Sequence, residues 1–377
     1  MRPLMERALL EDFLRERYHE ADIDISSSGV EPYTMAELRD LLGFDLGQLA
    51  AVSLRDSQSA GGDELRELVA ARYGLSDAGR VLVGNGSTEA QLLCLAALLE
   101  PGDEVVVVEP AYHSLLAPVR ARGCRVRRWQ LRPEDGFRPD LEELRHLITS
   151  ATKAVKAVVV NFPHNPTGVT LTAGELAELV AIVERHGCYL LWDGAFEDLV
   201  FDAPPLAAPT HYERALCFGT MSKAFGLPGL RVGWGIAAPE IVHAAVGVRD
   251  YTTLALSPLV EWVAQRALEG AEQLIGPRML TAAANRRLVH GWLAARPDAE
   301  SATAGAGVVA FPQLTRVPDT MALCERLMRE YRVLLVPGEA FGVPGRVRLG
   351  VGGTATDLAA GLDALSHLLD TMAEEAE

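Results

Sequence analysis

A chain of 377 residues that is 49% hydrophobic and 23% charged has the length for a large core and is too apolar to be disordered. Its formal charge of -16 offers nucleic acid or an anionic membrane surface no basic footprint to grip. No apolar run approaches the roughly 20 residues of a membrane span.

The opening residues, Met1 to Arg7, lack the apolar core and cleavage site of a signal peptide. Residues 4 to 20 carry Leu4, Leu9, Leu10, Phe13, Leu14 and Tyr18 at helical spacing, which predicts an amphipathic first helix. Asp24 to Tyr33 is polar and turn-rich and reads as an irregular segment of the kind that lines sites. From residue 63 the pattern alternates. Helices are expected over 64–73, 88–99 and 174–186, and short strands over 81–83, 105–108, 155–161, 189–193 and 215–219. Apolar strands separated by helices argue an α/β fold with a mostly parallel sheet, whose ligands gather beyond the carboxyl ends of the strands. Those ends carry Asn161, Asp193 and Thr220. After Pro258 the texture shifts to long helices, with strand candidates at 308–311 and 346–351 around a helix over 319–330. The expected division is a large domain over 45–258 and a smaller α+β domain built from 259–377 together with 1–44. Five cysteines (Cys94, Cys124, Cys188, Cys217, Cys324) form no C-x-x-C pair, so free thiols in a cytoplasmic protein are expected, with no metal site.

Three stretches point to chemistry. Gly84-Asn-Gly-Ser-Thr88 turns into a helix, and backbone N–H groups at such a start bind phosphate; a plain capped helix is the competing reading. Asp193 ends a buried strand, where a carboxylate is expensive without a cation, unless it only caps a turn. Lys223 sits among small and apolar residues; it is a surface lysine or an amine whose lowered pKa suits covalent work on a carbonyl. Between them lies Asn161-Phe-Pro-His-Asn-Pro-Thr-Gly168, a loop stiffened by two prolines, in which His164 reads as structural.

Taken in order, Gly86-Ser-Thr88, Tyr112, Asn165-Pro-Thr-Gly168, Asp193-x-x-Phe196, Ser222-Lys223 and Arg231 resemble the class I/II aminotransferases, pyridoxal 5'-phosphate enzymes of fold type I. The resemblance spans about 60–350. It implies that Lys223 holds the cofactor covalently and moves the substrate α-proton, and that Asp193 pairs with the pyridinium nitrogen. It gives Asn165 the ring's phenolic oxygen, Tyr112 the ring face, and Ser87, Thr88, Thr220, Ser222 and Arg231 the phosphate. Arg348 matches the arginine that takes a substrate α-carboxylate. A homodimer and a small amino-acid substrate are implied too. Two departures stand out: Phe196 replaces a tyrosine that also reaches the phenolic oxygen, and Asp56 stands near the place of a phosphate-binding tyrosine.

A closer resemblance accounts for them. Asp24 to Val30, Ala111 to Leu115, Trp192 to Phe196 and Arg249 to Pro258 are similar to the capreomycidine synthases, which make the cyclic guanidino amino acid of certain peptide and streptothricin-type antibiotics. What this implies is a cyclase that eliminates water from 3-hydroxy-L-arginine, or a further hydroxylated arginine, and closes the ring with the guanidino nitrogen. Asp56, Asp250 and Ser26, Ser27 and Ser28 are candidates for the guanidinium, and Lys223 or His113 for the acid that protonates the leaving hydroxyl. An aminotransferase acting on an arginine-like or aromatic amino acid is the alternative. A ligand-sensing module of a DNA-binding regulator is disfavoured, because no basic domain precedes the fold.

Overall fold

Seven short strands run through the middle of the chain: Val81–Asn85 (β1), Glu104–Glu109 (β2), Arg125–Gln130 (β3), Val155–Asn161 (β4), Tyr189–Asp193 (β5), Ala215–Thr220 (β6) and Val232–Ile236 (β7). In the computed structural model, which describes residues 5–201, 204–300 and 305–376, they form one sheet in the order β1-β7-β6-β5-β4-β2-β3. The pairs β6–β5, β5–β4, β4–β2 and β2–β3 are parallel, while β7 runs antiparallel to both neighbours. Strand alternation divides the apolar residues between two cores. Val106, Val108, Val158, Val160, Leu190 and Trp192 pack on one face; Val105, Val107, Ala157, Val159 and Leu191 pack on the other.

Two strands escaped the sequence reading, each for a physical reason. β3 is an edge strand, and its three arginines make it read as polar, with Arg125 and Arg128 exposed. β7 reads Val-Gly-Trp-Gly-Ile, and glycine argues against a strand on propensity. Tertiary packing requires the glycine here: a Cβ on Gly233 would stand 2.1 Å from the amide nitrogen of Ser87.

The first helix covers Leu9–Arg17, shorter than the expected 4–20, and Leu4 lies outside the described residues. The segment after it opens with a two-residue strand, Ile23–Asp24, paired in parallel with Val333–Leu334. Val336–Pro337, Val347–Gly350 and Val309–Ala310 form a small antiparallel sheet. The helices Thr320–Tyr331, Ala271–Ala295 and Ala355–Ala376 accompany it. Phe13, Ile25 and Val30 from the N-terminal part share a core there with Leu323, Leu327, Leu349 and Leu365. That shared core brings residues 24–30 against the loop that carries Lys223, since Val30 N donates to Lys223 O (3.4 Å).

Candidate active site

The carboxyl ends of β4, β5 and β6 meet the start of the helix Ser87–Leu98 in one cavity. Ser87, Thr88, Gln91, Tyr112, Ser114, Asn161, Asn165, Asp193, Phe196, Thr220, Ser222, Lys223 and Arg231 line it. Its phosphate-sized end is a helix N-terminus whose N-cap, Gly86, takes φ +82°. Only glycine occupies that region without strain. Arg231 reaches over this end and donates to Ser222 Oγ (3.2 Å), and Ser222 N donates to Thr220 Oγ1 (3.1 Å). A guanidinium, four hydroxyl side chains and a helix start therefore converge without a carboxylate lining that end, which suits a dianion.

At the other end Asp193 is buried and makes no ion pair within 4 Å among the described residues. Ala195 N donates to its Oδ1 (3.0 Å), and the Gln91 side chain adds a hydrogen bond. Burial nevertheless pushes its carboxyl up to about 6, partly offset by those hydrogen bonds and by Lys223. Asn161 Nδ2 donates to Asp193 O (2.9 Å), and Asn161 Oδ1 accepts from Asn165 N (2.8 Å), which ties the Asn165 loop to the end of β5. Arg348 Nη1 donates to Asn165 Oδ1 (3.2 Å), leaving the amide NH2 of Asn165 as the donor available to the cavity.

Lys223 Nζ donates to Ser28 Oγ (2.8 Å) and lies 5.9 Å from the centre of the Phe196 ring. Burial lowers the amine to about 8, and the charge of Arg348 adds to the shift. About a tenth is therefore neutral and nucleophilic at pH 7, far more than for an ordinary lysine. Arg348 is buried, donates to Ser26 O (2.9 Å), and keeps its Nε without a partner. Burial pulls even this guanidinium down to about 10. A buried arginine with an unused donor is suited to an incoming carboxylate.

Of the remaining expected residues, Tyr112 caps the helix His113–Ala121 and lines the cavity, with its hydroxyl donating to Glu11 Oε1 (2.7 Å). His113 stacks on Tyr112 at 4.2 Å between ring centres; burial lowers its pKa, and its Nδ1 has no partner. Ser28 is the lysine's hydrogen-bond partner. Asp56 and Asp250 are exposed and do not line the cavity of the single chain. His164 is fully buried, with Nδ1 against Thr167 Oγ1 (2.7 Å) and Nε2 against Pro110 O (2.8 Å), a structural clamp. Sequence reasoning missed Gln91, Ser114 and Glu11. Ser114 Oγ donates to Gln91 Oε1 (2.8 Å), which turns the Gln91 amide nitrogen toward Asp193. Gln91 falls one helical turn after Thr88 on the helix that opens the site, a spacing that was readable.

The residues fit pyridoxal phosphate. A buried carboxylate without a cation suits a pyridinium, a depressed amine suits an aldehyde, and the helix start with Arg231 suits the phosphate. The model of the aminotransferase class I and II family matches residues 53–365, and the chain belongs to that family of pyridoxal-phosphate enzymes. It is 49% identical to the capreomycidine synthase of Streptomyces vinaceus, over 97% of this chain and 94% of that one. It is 31% identical to the aspartate/prephenate aminotransferase of Thermus thermophilus, over 85% of each. Among solved structures, the PLP-dependent cyclase OrfR superposes with a TM-score of 0.92 at 42% identity, covering 99% of this chain and 98% of that one.

Proposed function

We propose that the enzyme is a cyclase that converts 3-hydroxy-L-arginine, or a further hydroxylated arginine, to a capreomycidine-type cyclic guanidino amino acid in antibiotic biosynthesis. The observation that carries this reading is the likeness to capreomycidine synthase over nearly the whole chain. The site supports it through Phe196, which stacks no hydroxyl against the phenolic oxygen where the resemblance to aminotransferases expects one.

Pyridoxal phosphate, when bound, supplies the electron sink that acidifies the substrate α-carbon. Asp193 would hold the ring nitrogen and favour its protonated form, and Arg231, Ser87, Thr88, Thr220 and Ser222 would hold the phosphate. Arg348 receives the α-carboxylate and fixes the α-hydrogen toward Lys223. Lys223 removes that proton, becoming an ammonium beside the β-hydroxyl. His113 starts from an ordinary value of 6.5 and is lowered by burial, so it is neutral at pH 7 and a poor proton source. The Lys223 ammonium is the better acid, and the hydroxyl leaves as water. The guanidino nitrogen, tethered to the same carbon chain, bonds to the β-carbon, helped by a high effective concentration. On bonding, that nitrogen gives up one N–H proton to Lys223, which passes it to the α-carbon. The balance is the loss of one water.

The same reading makes the enzyme a cytoplasmic homodimer. Five free cysteines support the compartment. The exposed Tyr251 and Leu254, flanking Thr252 at the cavity rim, support a second copy packed there. Among the described residues no helix is long and apolar enough to cross a membrane.

The test is incubation of the holoenzyme with 3-hydroxy-L-arginine in the absence of any keto acid. Loss of one water with all nitrogen retained, and a ring seen by NMR, is the expected result. Reaction only after a keto acid is added, with transfer of an amino group, would make the enzyme an aminotransferase.

A further inference from the structure

The cyclisation reading leaves the substrate's guanidinium without a partner, and a planar cation with five donors entering a water-poor site needs a carboxylate. The carboxylates around the site can be sorted by what already occupies them. Asp193 is committed to Ala195 and Gln91 at the closed end of the cavity. Asp24 Oδ1 accepts from both Ser26 N (2.7 Å) and Ser26 Oγ (2.6 Å). Glu89 accepts from Asn85 N (2.6 Å) and Thr253 Oγ1 (2.6 Å) and faces the buried Arg249 at 3.6 Å. Asp56 and Asp250 are exposed and line no part of the cavity within the single chain.

Glu11 is different. It comes from the first helix, half-buried, and lines an outer cavity with Asn85, Thr88, Tyr112, Arg231, Thr252 and the already occupied Glu89. Thr88, Tyr112 and Arg231 line the inner cavity as well, so the two adjoin. Among the described residues its side chain makes one hydrogen bond, accepted from the Tyr112 hydroxyl, and no ion pair within 4 Å. That bond leaves most of the acceptor directions of a carboxylate open. It also fixes the group beside Tyr112, which lines both cavities. The charge of Glu11 is felt by Lys223, Arg348, Tyr112 and His113.

We propose that Glu11 is the carboxylate that receives the substrate guanidinium, with Arg348 holding the opposite, α-carboxylate end. The inference rests on the hydroxyarginine reading and names the specificity residue within it. A helix that reads as a surface element in sequence then becomes the wall that selects a cationic side chain.

The test measures binding without turnover. L-Arginine and L-citrulline differ by one charge at the same shape, and neither carries a β-hydroxyl to lose. Their affinities for the wild-type holoenzyme, Glu11→Gln and Glu11→Asp are read from the visible absorbance of the bound cofactor. Glu11→Gln should weaken arginine ten- to a hundredfold and citrulline less than threefold, with Glu11→Asp between wild type and Glu11→Gln for arginine. Equal weakening of both ligands would mean that Glu11 acts through Tyr112 and overturn the proposal, as would an unchanged preference for arginine. Wild type that fails to dehydrate 3-hydroxy-L-arginine, yet shows the Glu11-dependent preference, removes the cyclase and leaves the guanidinium site standing.

Discussion

Asp193 illustrates what a site residue costs before its ligand arrives. Its carboxyl is pushed from 3.8 up to about 6 because burial disfavours the charge. A group whose folded pKa is raised carries no penalty below its unfolded value. As the pH rises through about 4 to about 6, the unfolded chain ionises first, so stability of the folded state falls and then stays level. The shift corresponds to about 3 kcal/mol at neutral pH. Apoenzyme carrying Asp193→Asn should therefore melt a few degrees above wild type at pH 7 to 8, while cofactor affinity falls. The gap should narrow as the pH approaches 4. A wild-type apoenzyme that melts higher than the variant at neutral pH would show that Asp193 is stabilised by the fold alone.

At the scale of elements, the phosphate end depends on how closely β7 approaches the helix Ser87–Leu98. A Cβ on Gly233 would sit 2.1 Å from Ser87 N and 2.6 Å from Gly86 C, so the backbone of one element must move. Gly233→Ala should cost about 1–3 kcal/mol through overpacking. It should also lower cofactor affinity more than tenfold, because the displaced amides belong to the helix start proposed to receive the phosphate. Gly247→Ala, in the helix Pro239–Arg249 with nothing within 4 Å, serves as the control and should be neutral or slightly stabilising. Melting temperature and cofactor titration together check both; equal behaviour of the two variants would remove the close approach as the cause.

For the whole molecule, the question is what covers the rim of the cavity. Tyr251 is 92% exposed and Leu54 75% exposed in the single chain. A second copy packed over these side chains would remove their apolar surface from water. Sedimentation of the holoenzyme should give a dimer, and Tyr251→Asp should shift it toward monomer with loss of retained cofactor. A wild-type monomer at micromolar concentration that keeps its cofactor would defeat the proposed assembly.

Much of this was legible in the linear chain, for reasons that are local. Strands buried on both faces must be continuously apolar, so β2, β4, β5 and β6 announced themselves, and with them Asn161, Asp193 and Thr220 at their ends. Lys223, Arg231 and the glycine turn before Ser87 stood out because their residue types are costly or strained without a ligand. The remainder depended on distant neighbours. β3 looks polar because it is an edge, and β7 looks too flexible because its glycine is demanded by a helix some 150 positions earlier in the chain. Gln91 beneath Asp193, Ser28 against Lys223 and Glu11 on Tyr112 carry ordinary residue types on ordinary elements. Composition and periodicity determined the class of fold, because burial and charge act on each residue where it stands, and the ordered motifs carried the resemblance that implies the covalent chemistry. Which acceptor waits for the far end of a substrate was decided only when the N-terminal segment packed against the C-terminal core, because that contact joins residues more than three hundred positions apart.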